Sequence, residues 1–259
     1  VTDYELASRL SYLIWGASPD EKLMRAAENG ELSDTAKMGV EISRMLADPR
    51  AIERSQQFAS EWLNLGRLAN LAPNPKHFPD WNPELATDMK AETLAFFRTV
   101  VWDEKRPLSD LLSAQVTHAS PRLAKFYGLP SKEGEGMAKY DLSENSGRGG
   151  LLTQASILTV GGDEASMVSR GLFVMHDLLR GVVKDPPPCV DVTPISSEPG
   201  LTQRGIAENR IENASCGGCH QKFEPLAFGL EKFDGIGAFH EKDEHENKLR
   251  DDGQILFPG

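Results

Sequence analysis

The chain has 259 residues and a formal net charge of −11, enough for one large or two modest domains with real cores. The acidic balance excludes the basic face that nucleic-acid binding requires. It suits an exported protein, or a docking surface for a basic redox partner. Apolar runs such as Ser11 to Trp15 are far too short to span a bilayer, so no transmembrane segment is expected.

The first part of the chain reads as helices. Leu6, Leu10, Leu13 and Ile14 recur at helical spacing. Ser18-Pro19-Asp20-Glu21 has the pattern of a capping box with proline at the first helical position. A helix from about Asp34 puts Met38, Ile42, Met45 and Leu46 on one face and stops at Asp48-Pro49. The next carries Ile52, Ala59, Trp62 and Leu63. Beyond Pro73, Pro75 and Pro79, Asn82-Pro83 opens a long helix. It buries Leu85, Met89, Phe96, Phe97, Val100 and Val101 and runs to about Glu104. Met38, Met45 and Met89 thus lie on core stripes. Pro107 to Ala114 suggests a short helix, and Ser120-Pro121 starts another that Gly128 and Pro130 stop. Residues 131 to 150, polar and glycine-rich, read as a long loop and a soft boundary.

Leu151 to Val160 is apolar enough for a buried helix, followed by a loop from Gly161 to Met167. Helix resumes from about Val168 with Leu172, Met175, Leu178 and Leu179 inward. Pro186-Pro187-Pro188, Pro194 and Pro199 make an extended, polyproline-like crossing. Leu201 to Glu212 is an amphipathic helix that delivers the chain to Cys216-Gly217-Gly218-Cys219-His220.

That C-x-x-C-H stretch is the pattern by which haem is attached covalently in c-type cytochromes. Two cysteines three residues apart share one side of a helical turn, so each sulfur can bond one haem vinyl group. The adjacent His220 can then ligate iron as proximal ligand. Gly217 and Gly218 leave the backbone free to lie close to the macrocycle edge. The alternatives are a zinc half-site and a redox dithiol. Zinc needs further Cys or His ligands at short spacing, and the remaining cysteine is the lone Cys189. A redox pair sits beside a βαβ pattern, and none is visible. Cys189 is left over, as a buried free thiol or as a partner in a disulfide to another chain. One covalent haem c implies the periplasm of a Gram-negative bacterium or secretion beyond it. No signal peptide precedes Val1, so a mature or trimmed form is expected.

No methionine follows Cys216, so a distal iron ligand must come from earlier in the chain, from His240 or His245, or be absent. Met167 is the candidate, because it follows Gly161-Gly162 and precedes a helix; His240 is the runner-up, and Met137 a weaker choice. Downstream, Pro225, Leu226, Phe228 and Phe233 suit the lining of a large apolar cofactor. The second imidazole nitrogen of His220 is expected to donate to a backbone carbonyl in the Phe223 to Leu226 turn. The acidic run Glu241 to Glu246 with Asp251-Asp252 could hold calcium but lacks the spacing of a known loop, so it reads as a solvated turn.

Several blocks resemble a known family: Tyr4-Glu5-Leu6-Ala7-Ser8-Arg9-Leu10-Ser11-Tyr12-Leu13-Ile14-Trp15, Leu123-Ala124-Lys125-Phe126-Tyr127-Gly128, Arg148-Gly149-Gly150-Leu151-Leu152-Thr153, and the haem motif with Glu224-Pro225-Leu226-Ala227-Phe228-Gly229-Leu230-Glu231-Lys232-Phe233-Asp234. The family comprises the planctomycete-type secreted cytochrome-c-like proteins, assembled from consecutive domains of unknown function. Two positions depart from it. Met167 stands where proline is usual, and Glu224 stands where aspartate is usual. The resemblance implies a mainly α fold, with a helical N-terminal half and a smaller helical, loop-rich haem c half. Residues 1–130 form a helical domain, 131–200 a glycine- and proline-rich connection with two helices, and 201–259 a haem-binding region continuing beyond this chain. It also implies a fragment or processed product. The expected role is electron transfer with a redox protein partner. Two other readings stay open: a peroxidase-like haem enzyme with a vacant distal position, and a binding module of a larger multi-domain or multi-chain assembly.

Overall fold

The computed structural model describes residues 1–132, 134, 136–145, 147–163, 165–186, 188, 190, 193 and 195–253. It is mainly α-helical and divides into two compact units.

The first unit holds residues 1–64 and 97–105. Its helices are α1 (Asp3–Ile14), α2 (Glu21–Glu28), α3 (Thr35–Leu46) and α4 (Pro49–Trp62). A capping box opens α1, where Thr2 and Glu5 satisfy each other's backbone N–H groups. At α2 the anticipated box is replaced by a single cap. Asp20 accepts from Leu23 N at 2.9 Å, so the helix begins after Asp20 and not at Pro19. The same carboxylate takes two hydrogen bonds from Arg44, at 2.7 and 3.1 Å. The core is built from Ala7, Trp15, Leu23, Ala26, Ala27, Leu32, Met45 and Ala51. Its alanines let the helices approach closely. Ala7, Ser11 and Trp15 form the inward stripe at four-residue spacing, which leaves Leu13 72 % exposed, against expectation. Leu46 is also exposed. Trp15 donates from Nε1 to the Met45 carbonyl at 3.0 Å, and the Arg50 guanidinium lies 3.6 Å from its ring centre.

The second unit holds residues 65–96 and 106–259, as far as they are described. Helix α5 (Pro83–Arg98), whose last two residues belong to the first unit, starts where Asn82 Oδ1 accepts from Leu85 N at 2.8 Å. Short helices α6 (Asp110–Ser113) and α7 (Pro121–Phe126) flank strand β1 (Val116–Ala119). Strand β2 (Ala138–Asp141) pairs antiparallel with β1, Val116 opposite Asp141 and Ala119 opposite Ala138. The strand pair, connected through α7, falls partly where a loop was expected. In β1 the inward residues Thr117 and Ala119 are not distinctly apolar, so its alternation does not show in the sequence, and only Tyr140 of β2 is buried. Leu85, Met89, Leu123, Tyr127 and Tyr140 pack into one core here.

The apolar stretch Leu151 to Val160 is not one helix. Gln154 is extended (ψ 137°) and separates a 3₁₀ turn at Leu151–Thr153 from α8 (Ala155–Leu158). Helix α9 (Met167–Phe173) runs into a π turn at Val174–Leu178. Gly171, Phe173 and Val174 are buried, and beyond the wider turn Leu179 is exposed. Then come α10 (Gln203–Glu212), α11 (Gly217–His220) and a 3₁₀ turn at Glu224–Leu230. Glu164, Pro187, Cys189 and Pro194 lie outside the described residues. Among the described residues, no helix is long and apolar enough to cross a membrane.

Candidate functional site

The C-x-x-C-H segment sits at a sharp helix-to-helix turn made by Asn213. Its carbonyl accepts from Cys216 N at 3.1 Å and Gly217 N at 2.7 Å, and its side chain accepts from Ser215 N at 2.9 Å. The first turn of α11 then closes, with His220 N bonded to the Cys216 carbonyl at 3.1 Å. Both motif cysteines are outside any disulfide; Cys216 is half-buried and Cys219 exposed. The two glycines do different things. A Cβ on Gly217 would overlap the Ile211 carbonyl, so this glycine permits α11 to press against the end of α10. A Cβ on Gly218 would meet no atom within 4 Å, so the outer side of the turn is open.

His220 directs Nδ1 at the carboxylate of Glu224, four residues onward. The expected acceptor was a backbone carbonyl in the same stretch. The side chain takes its place because the chain turns after α11 and brings Glu224 back against His220, directed inward with no exposed surface. Arg210, on α10, holds that carboxylate in a fork, Nε to Oε1 at 2.9 Å and Nη2 to Oε2 at 3.0 Å. A carboxylate so held only accepts, so His220 Nδ1 carries a proton directed at it, and Nε2 is the nitrogen that faces away from the carboxylate. Helix α9 seals the back of this triad, since a Cβ on Gly171 would overlap the Phe223 carbonyl. The sequence carried a signal for Glu224 in its spacing from His220, but none for Arg210.

Met167 is not in a loop. It is the first residue of α9, capped by Ser166, whose Oγ accepts from Ser169 N at 3.1 Å. Proline is tolerated at that helical position, which gives the departure from the family pattern a simple geometry. The Met167 side chain is fully buried with Ala207 and Ala227, and Phe228 packs against them. Phe233 is placed elsewhere, in a cluster with Leu158 and Leu230. Pro225 and Leu226 are half-buried in the turn just after His220. His240 bonds through Nε2 to Asp234 at 2.9 Å, and that hydrogen bond raises its pKa. In the acidic run, Asp243 accepts from His245 N and Asn247 N, both at 2.9 Å, and so shapes a turn.

Two family models match the chain in succession. The first, described as PSD4, protein of unknown function (DUF1592), covers residues 1–129. The second, described as PSCyt3, protein of unknown function (DUF1588), covers residues 148–243 and so includes the C-x-x-C-H turn and the Arg210–Glu224–His220 triad. No curated protein and no solved structure matches the chain. With both domains present in consecutive order, the chain belongs to the planctomycete-type series of proteins built from DUF1592 and DUF1588 domains.

Proposed function

We propose that this chain is an exported monohaem c-type cytochrome domain that passes electrons to or from a periplasmic or surface redox partner. The observation that carries the reading is one helical turn with two thiols out of any disulfide, one half-buried and one exposed, next to a histidine whose Nδ1 is engaged by a carboxylate, which leaves Nε2 as the nitrogen for a metal. The open side of the turn at Gly218 fits a flat macrocycle. Cys216 and Cys219 would hold haem through thioethers and His220 would be the proximal ligand, with Pro225, Leu226 and Phe228 beside it. When bound, the group supplies a one-electron iron couple. The chain's own residues supply attachment, a fixed imidazole and exclusion of water. Met167 is proposed as distal ligand, close in the fold to Ala227 and Phe228, and ligation would require its side chain to leave the cluster it forms with Ala207 and Ala227.

Expressed with cytochrome c maturation machinery, the protein is expected to show one added haem by intact mass, resistant to acid-acetone extraction. The Cys216→Ala, Cys219→Ala variant is expected to show none. An unmodified wild-type mass overturns the proposal. Met167→Ala is expected to open the iron to carbon monoxide and abolish the far-red sulfur-to-iron band, while His240→Ala leaves both unchanged. An unchanged Met167→Ala spectrum removes Met167 from the site. A second reading, a haem enzyme with an open distal position, is favoured by the carboxylate behind His220, which makes the imidazole a stronger donor. Carbon monoxide binding by the wild-type protein would select it.

A further inference from the structure

We infer that Glu224, tethered by Arg210, is a positioning residue that fixes the ring plane and proton of His220 and makes the imidazole a strong electron donor through Nε2, with Arg210 limiting that donation. The inference rests on the haem reading above. Three features support it. Glu224 has no exposed surface, although a carboxylate is buried only where something holds it. Its Oε1 is shared by Arg210 Nε, at 2.9 Å, and by His220 Nδ1. Finally, the His220 side chain is 26 % exposed on a four-residue helix, with Phe223 tilted against it at 5.2 Å between ring centres. So short a helix does not orient an imidazole by itself, and the carboxylate is the group that does.

A carboxylate acceptor differs in kind from a backbone carbonyl. It carries a full charge, pulls the Nδ1 proton harder and pushes electron density to the opposite nitrogen. A more basic ligand favours the more highly charged metal, hence the oxidised iron. Arg210 draws on the same oxygen, so it competes with His220 for the carboxylate. The two residues therefore act in opposite directions on the donor strength of Nε2. The two bare charges also act on the iron through space with these same signs, so the tautomer of His220 is the readout that separates the hydrogen bond from charge alone.

Both the opposition and the tautomer are tested. In the haem-loaded chain, Glu224→Gln is expected to move the reduced-to-oxidised ratio at a fixed applied potential roughly tenfold toward reduced, ~59 mV for a one-electron couple. Arg210→Gln is expected to move it toward oxidised. Shifts of the same sign in both variants, or none in either, overturn the inference. A second measurement needs neither variant nor haem. In the Cys216→Ser, Cys219→Ser protein with ¹⁵N-labelled histidine, His220 at pH 8 is expected to carry its proton on Nδ1. Adding Glu224→Gln is expected to release a mixture of tautomers. A proton on Nε2 while Glu224 is intact overturns the inference even if the variants fail to fold. Failure of the wild-type chain to take up haem would overturn the functional reading of the preceding section, and the tautomer would still decide this one.

Discussion

Arg170→Leu is expected to destabilise the second unit by on the order of 4–6 kcal/mol, at the upper end for single substitutions. Arg170 is 1 % exposed and sits in the middle of α9. All five of its N–H donors are used, and each one goes to a backbone carbonyl. Nε and Nη2 reach Leu158 O, both at 3.2 Å, and Nη1 reaches Leu230 O at 3.0 Å and Phe233 O at 2.7 Å. Nη2 also bonds Asp234 O. Leu158 ends α8 and Leu230 ends the 3₁₀ turn, so the cation caps two helix C-termini whose carbonyls have no further intrahelical partner. Burial lowers its pKa to about 10, which leaves it charged at neutral pH. Leucine fills much of the space but strands the Leu158 and Phe233 carbonyls, each at about 1–3 kcal/mol, and takes a charge-assisted bond from Leu230 O and Asp234 O, which keep bonds from Phe233 N and Gly237 N. Arg170→Lys keeps the charge with three donors for four carbonyls and is expected to lie between. Urea unfolding of the three proteins checks the order. A loss below ~2 kcal/mol for Arg170→Leu would mean that the carbonyls find other partners.

Glu92→Gln is expected to stabilise the protein at pH 8 by up to ~3 kcal/mol and to change little at pH 4. Glu92 is buried on α5, accepting hydrogen bonds from Thr117 Oγ1 and, at 2.6 Å, from Tyr127 Oη. Arg148 is close, but its guanidinium lies 3.7 Å over the Tyr127 ring centre and donates to Thr153 O and Gly237 O, at 2.7 and 2.6 Å. Desolvation therefore prevails over those two hydrogen bonds and raises the Glu92 pKa to about 7, against 4.5 for an ordinary glutamate. The folded state thus holds a proton that the unfolded chain releases between pH 4.5 and 7. Stability falls as pH rises through that window, is fully penalised above it, and is unaffected below it. Glutamine has no such proton to lose. Its oxygen can accept from one hydroxyl and its amide can donate to the other in the space the carboxylate leaves. His240 adds to the wild-type trend in the same sense. Its raised pKa contributes stability at low pH that is lost as pH climbs through the folded value. The difference between the two proteins isolates Glu92. Parallel stability curves from pH 4 to 8 would disprove the assignment.

The helices were legible where their starting signals are local. Asp34, Asn82 and Ser120 each bond a backbone N–H two or three residues onward, so cap and helix lie within one short window of sequence. The cysteines and histidine of the C-x-x-C-H motif were legible for the same reason, since one helical turn brings them together. The stripe of α1 was misjudged because small residues, Ala7 and Ser11, take the buried face and a leucine is left outside. The β1–β2 pair was missed because the inward residues of β1, Thr117 and Ala119, are not distinctly apolar.

The sequence by itself determined the mainly helical character, the succession of helices and the chemistry open to residues 216–220. Only the tertiary structure decided the fate of the charged residues Glu92, Arg148, Arg170 and Glu224. By composition each belongs on the surface, yet each is buried. Thr117 lies 25 residues from Glu92, Phe233 lies 63 from Arg170, and Arg210 lies 14 from Glu224. Many of these partners are backbone carbonyls, which every residue carries and which therefore leave no mark in a sequence. A buried charge is tolerated only when such partners converge on it, and convergence is a property of the folded chain.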